Sequence, residues 1–176
     1  TKTPVELDVQ DMVQSVLALY LIQLEGKRIK VDYKRGGPFR IHGFPGELRQ
    51  VLANLIGNAI DASPPQSKIS IRVRRAEPNG VPGVVFTIHD EGAGIPREIR
   101  GRILEPFFTT KELKGTGLGL WLAKSIVLKH AGTLRFRSRA TAQRSGTCFR
   151  VFLPVADEKS QSTEAASLPA ALIEPR

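Results

Sequence analysis

Apolar positions recur at helical spacing over residues 7–24, LDVQDMVQSVLALYLIQL, behind an acidic start, and predict a helix. RIKVDYKRG (28–36) alternates with period two and reads as a strand. FRIHGF (39–44) reads as a short second one, with GGP turning the chain between them. PGELRQVLANLIGNAIDAS (45–63) is amphipathic with period 3.6 and is stopped by Pro64 and Pro65. Strands follow at 68–75 and 83–90, joined by a loop of turn formers. DEGAGIP (90–96) is a glycine loop at a strand end, REIRGRIL (97–104) a short helix, and EPFFTTKELKGTG (105–117) irregular. A helix over 118–130 is closed by Gly132 as C-cap, and strands at 133–139 and 147–153 end the pattern. Paired consecutive strands argue against a doubly wound parallel sheet and for antiparallel or mixed pairing. The fold class expected is an α/β two-layer sandwich: a mixed, largely antiparallel sheet with helices packed on one face. The folded domain is expected over 1–155. From 156 the chain turns polar, and 156–176 reads as a disordered tail or linker.

The length of 176 residues suits one domain with a real core. No apolar run approaches the roughly 20 residues of a membrane helix, and no secretory leader opens the chain. The missing initiator Met suggests a piece of something longer. The one cysteine, Cys148, allows no internal disulfide or cysteine metal cluster and fits a reducing, cytoplasmic compartment. The net charge of +9 is patterned. Arg72 and Arg74 in one strand and Arg135, Arg137 and Arg139 in another share a face by period two. That is a solvated sheet face, or else a docking face for another domain. Aromatics interleaved for base stacking are absent, so a nucleic-acid partner is not expected.

Three segments carry candidate chemistry. In the helix at 45–63, Glu47, Asn54, Asn58 and Asp61 fall within about 60° of one another at about 100° per residue, flanked by apolar residues. Two Asn beside a core need partners. They either bond to loops and backbone or face a ligand, and an Asn oxygen suits Mg²⁺ that takes its other oxygens from phosphates. Asp90 closes a strand before Gly92 and Gly94. Ionised, it only accepts hydrogen bonds, which suits an amino group such as adenine's, although an ordinary Asx turn explains it as well. GTGLGL (115–120) is neither a Rossmann fingerprint nor a Walker loop. It still leads glycines into a helix N-terminus, a place for anionic oxygens, with Lys111 and Lys114 nearby.

Together, in this order, these segments resemble the four sequence boxes of the GHKL ATPase superfamily, and most of all those of the ATP-binding catalytic domain of bacterial sensor histidine kinases. QVLANLIGNAIDAS is similar to the N box, DEGAGI to the G1 box, EPFFTTK to the F box and GTGLGL to the G2 box. The resemblance spans roughly residues 5–154 and implies a Bergerat-type sandwich that binds ATP with Mg²⁺. It implies Asn58 as the Mg²⁺ ligand and Asp90 as the reader of the adenine amino group, with Gly92, Gly94 and Ile95 beside it. Phe107 and Phe108 would anchor a lid over 109–116 that includes Thr109, Thr110 and Lys111. Gly115, Thr116, Gly117, Leu118, Gly119 and Leu120 would wrap the phosphates, and Thr147 would stand near the adenine. Asn54 occupies the place of the general-base Glu of ATPase relatives. An amide cannot take up a proton there, which favours a kinase. Asp61 stands where a basic residue is usual, so the phosphate contact would shift to Lys111. Trp121 stands where a small residue is usual.

The implied reaction moves the γ-phosphoryl group of ATP to a histidine on a separate dimerisation and phosphoacceptor domain, with a response-regulator receiver domain downstream. His42, His89 and His130 are poor acceptors by context, so that domain is expected before residue 1 and the present chain is expected to be monomeric. Membrane attachment would come only through other parts of the protein. The alternatives are a GHKL-type ATPase or anti-sigma-like serine kinase, and a nucleotide-binding regulatory module without catalysis.

Overall fold

The computed structural model describes residues 3–110, 116–141 and 145–155. The tail expected at 156–176, and Lys111, Lys114 and Gly115 of the expected lid, lie outside the described residues.

The chain opens with strand β1 (Val5–Asp8), followed by helices α1 (Val9–Leu19) and α2 (Leu21–Lys27). Asp8 sets the boundary. Its carboxylate accepts from Gln10 N at 2.9 Å and caps α1, so the helix expected from residue 7 begins at Val9. The same apolar stretch breaks at Tyr20, whose backbone leaves the helical region (φ −102°, ψ 6°). The Tyr20 hydroxyl donates to Ala53 O across the core at 3.0 Å. Arg28, in the left-handed region, ends α2.

Strands β2 (Lys30–Tyr33) and β3 (Arg40–Gly43) form where the alternation placed them, but they do not pair with each other. β3 joins β1 in a small antiparallel sheet, while β2 runs parallel to β4 (Lys68–Ala76). The glycine turn between them is held by α1 instead. The Gln10 side chain accepts from Gly36 N at 2.6 Å and donates to Gly37 O, and Val9 N donates to Phe39 O. These tertiary bonds take the place of a hairpin ladder.

The main sheet has the order β2–β4–β5–β7–β6, with β5 (Gly83–Asp90), β6 (Thr133–Ala140) and β7 (Ser145–Pro154); every pairing but β2–β4 is antiparallel. Helix α3 (Pro45–Ala62) lies against β5 and packs on α1 and on α4 (Gly119–Lys129). Its apolar stripe, including Leu48, Leu52, Leu55 and Ile56, is buried against Ile69, Ile71 and Ile88 of the sheet. The helices thus cover one face, as expected. Arg72 and Arg74 of β4 and Arg135, Arg137 and Arg139 of β6 occupy the other, and Arg135 stands directly across from Arg150.

Two smaller expectations are corrected. REIRGRIL yields one 3-10 turn, Arg97–Ile99, and then further turns; with Gly101 inside it, an eight-residue stretch does not sustain a helix. The end of α4 is a Schellman motif in which Ala131, not Gly132, takes the left-handed conformation (φ 54°). Gly132 N donates to Val127 O and Ala131 N to Leu128 O, each at 2.9 Å. Among the described residues, no helix is long and apolar enough to cross a membrane.

Candidate functional site

β5 ends at Asp90, which is 2% exposed. Burial raises its carboxyl above the usual value, partly offset by hydrogen bonds from Gly92 and Thr147. Gly92 N donates to Oδ1 at 2.8 Å and Thr147 N to the same oxygen at 3.3 Å. The Asx turn and the ligand-reading role therefore do not compete: Oδ1 holds the turn, and Asp90 still lines a cavity of about 550 Å³. That is a common size for a small-molecule site.

The loop after Asp90 is held tightly. Gly94 has φ 76°, and a Cβ there would stand 1.8 Å from Arg139 O. Ile95 N donates to Ser138 Oγ at 2.7 Å. Ser138, Thr147 and Asp90 form one row across β6, β7 and β5, because Ser138 pairs with Thr147 and Thr147 with Asp90.

The cavity also reaches the start of α4. Gly117 precedes that helix with φ 67°, and a Cβ there would lie 2.4 Å from the backbone of Phe107. Among the described residues, no side chain caps α4. Its first-turn N–H groups are thus available to an anion, and the helix dipole favours one. Thr116, Gly117, Gly119 and Leu120 line the cavity here, with Thr109 and Thr110 beside them, and Asn58 and Ala62 contribute from α3.

The expected residues divide accordingly. Asn58, Asp90, Gly94, Ile95, Thr109, Thr110, Thr116, Gly117, Gly119, Leu120 and Thr147 share one cavity. Gly92 serves through its N–H to Asp90, and Leu118 is the N-cap residue of α4. Asn54 is not in the lining. Its amide donates to Gly119 O at 2.9 Å and braces α4 on α3. Glu47 pairs with Lys129 of α4 at 2.6 Å. Asp61 is exposed and outside the lining. Its carboxylate raises the Tyr20 hydroxyl, though less than burial does. The stripe on α3 therefore crosses the cavity edge, with Asn58 on one side and Asp61 on the other.

The two phenylalanines of EPFFTTK also part. Phe108 lines the cavity under the Arg102 guanidinium, 4.7 Å from its ring centre, whereas Phe107 is 75% exposed. His130 is committed to structure: Nε2 accepts from Phe44 N at 3.2 Å, so Nδ1 carries the proton toward Ile126 O at 2.8 Å. Sequence reasoning missed Ser138, although its place in the inward row with Leu134 and Phe136 marks a hydroxyl among apolar neighbours. It also missed Ile99 and Ile103, apolar walls of the cavity from an irregular segment. A larger cleft of about 760 Å³, bounded by Phe39, Arg75, Glu77 and Val155 among others, brings no buried polar side chain with it.

ATP and Mg²⁺ fit these residues. One part of the cavity offers a buried acceptor for a base, another an uncapped helix N-terminus for phosphates. Among the described residues no cluster of three His, Cys, Asp or Glu gathers to hold a metal. A divalent ion would take oxygens from Asn58 and from phosphate, as Mg²⁺ does.

Residues 43–157 match the family described as histidine kinase-, DNA gyrase B- and HSP90-like ATPases. Sporulation kinase A of Bacillus subtilis is 36% identical over 84% of this chain and 23% of its own length. Sensor kinase CckA of Brucella abortus is 34% identical over 94% of this chain and 18% of its own. The chain thus spans about a fifth of the length of these two relatives. Among solved structures, mycobacterial sensor histidine kinase MprB superimposes with a TM-score of 0.73 at 28% identity, covering 86% of this chain and 97% of its own. The catalytic domain of histidine kinase ThkA gives 0.74 at 27% identity, covering 86% and 95%.

Proposed function

The chain belongs to the histidine kinase-, DNA gyrase B- and HSP90-like ATPase family, and from that premise we propose that it is the ATP-binding catalytic domain of a sensor histidine kinase. One observation carries the reading: a single cavity unites the buried Asp90 carboxylate with the uncapped N-terminus of α4, a base reader and a phosphate cradle. Asp90 accepts from the adenine amino group. The N–H groups of Gly119 and Leu120 hold phosphate oxygens, aided by Lys111. Asn58 would hold Mg²⁺, which when bound would supply positive charge beside the phosphates.

The acceptor is a histidine on a dimerisation domain of the same full-length protein. Its imidazole lone pair forms the N–P bond as the bond from the γ-phosphorus to ADP breaks, ADP leaves with the electron pair, and the ring proton passes to solvent. Phosphoryl transfer asks the protein mainly for positioning and electrostatics. Asn54 supports transfer over hydrolysis. It has no basic oxygen to activate water, and its amide is already engaged with Gly119 O. A response-regulator receiver domain then takes the phosphoryl group.

Transfer in trans tests this. The purified chain, Mg²⁺ and γ-labelled ATP are mixed with a separate phosphoacceptor domain of a sensor kinase. Acid-labile label on the acceptor histidine is expected. Tight nucleotide binding with no transfer to any acceptor tried would make the chain a regulatory module, and phosphate release without transfer would make it an ATPase.

A further inference from the structure

Ser138 touches three groups around the buried end of the cavity. Ile95 N donates to its Oγ at 2.7 Å, Gly146 O lies 3.1 Å away, and Thr147 Oγ1 lies 2.9 Å away. A serine hydroxyl has one proton and two lone pairs. Ile95 takes one lone pair. Gly146 O can only accept, so the proton goes there. The second lone pair is then left for the Thr147 hydroxyl, whose proton turns toward Ser138. Thr147 is 4% exposed and lines the cavity beside Asp90, so its own lone pairs remain for a ligand.

We infer that Ser138 is a positioning residue that fixes the Thr147 hydroxyl as an acceptor and thereby sets the cavity's preference for a base carrying an exocyclic amino group over one carrying a carbonyl there. This rests on the nucleotide reading above. With Thr147 so oriented, two acceptors, the Asp90 carboxylate and the Thr147 oxygen, stand together. An amino group has two N–H donors to give them. A carbonyl oxygen meets lone pairs from both. Without Ser138 the Thr147 hydroxyl is free to turn its proton into the cavity and tolerate the carbonyl.

The test compares ADP with inosine diphosphate, which carries a carbonyl in place of the amino group and a proton on the adjoining ring nitrogen. The whole chain is titrated calorimetrically with each, in chelator so that no metal contributes. Ser138→Ala is expected to lower the ratio of ADP to inosine diphosphate affinity by about three- to tenfold, the worth of one neutral hydrogen bond. Ser138→Thr keeps the hydroxyl and is expected to keep the ratio. Thr147→Val removes the acceptor directly, should lower the ratio by itself, and should leave Ser138→Ala with nothing to add in the double variant. Equal weakening of both nucleotides in a folded Ser138→Ala protein would overturn the inference and leave Ser138 a loop tether. If Ser138→Ala does not fold, an unchanged ratio in Thr147→Val overturns it instead. A wild-type chain that binds both nucleotides alike has no such preference and also overturns the inference; one that binds neither would sink the nucleotide reading itself, a distinct result.

Discussion

Asp90 is at once the most buried carboxylate among the described residues and a net burden on the fold. A carboxyl whose folded value is raised holds its proton more tightly folded than unfolded. Its contribution to stability is therefore full below the unfolded value and is lost as pH rises through the folded one. At neutral pH the ionised form is the less favoured one in its buried site, and Asp90→Asn, which has no charge to bury, should raise the melting temperature. On the proposed reading the same change presents a donor where an acceptor is needed, so ADP affinity should fall by about 5- to 150-fold. Wild-type affinity should also weaken in acid with a midpoint above the usual aspartate value, a step that Asp90→Asn lacks. Thermal melts and titrations across pH check both; an Asn variant that binds ADP normally refutes the assignment. Asn58 should fail differently. Asn58→Ala should abolish the Mg²⁺-dependent gain in ATP affinity while largely sparing ADP binding in chelator. Loss of metal-free binding as severe as in Asp90→Ala, with the fold intact, would make the Asn58 contact structural.

At the scale of elements, the open face of the sheet departs from good pairing. Arg135 and Arg150 are cross-strand partners, and neither forms an ion pair among the described residues. Like charges directly opposite are destabilising by about 0.2–1 kcal/mol. Arg135→Thr keeps strand propensity and should stabilise by that amount in urea unfolding. The gain should shrink at high salt, since the pair is exposed and screened. Nucleotide affinity should not change, because this side of the sheet does not line the cavity. A gain that is unaffected by salt would point to strand propensity instead. The face stays solvated or serves another domain; the arginine pattern alone suits both.

At the scale of the molecule, the sandwich brings Asp90 and the start of α4, proposed to read adenine and to hold phosphate, into one cavity but places no histidine there. His130 is locked between Phe44 and Ile126, while His42 and His89 are exposed strand residues outside the cavity lining. The 176-residue chain should therefore bind Mg²⁺-ATP as a monomer and not label itself. Light scattering gives the mass, and incubation with γ-labelled ATP gives the labelling. Stoichiometric self-labelling on a histidine would sink the division of labour between this domain and a separate acceptor.

The sequence by itself determined most of the elements and singled out residues that the fold gathers around one cavity. Period 3.6 in α3 and period two in β4 to β7 survive folding, because a helix or strand must bury one stripe or face whatever its neighbours are. The four boxes were legible for the same local reason: glycines before a helix, an Asp at a strand end and an Asn on a helix stripe are short-range patterns. Only tertiary structure decided the rest. Whether β2 pairs with β3 or with β4 depends on Gln10 reaching across to the glycine turn. Which member of the α3 stripe meets the cavity depends on where α4 and Tyr20 press on that helix, and so Asn58 enters while Asp61 and Asn54 do not. Ser138 reaches Asp90 through Thr147 because three strands far apart in sequence lie in one register. Periodicity tells which way a side chain faces; register and packing decide what it meets.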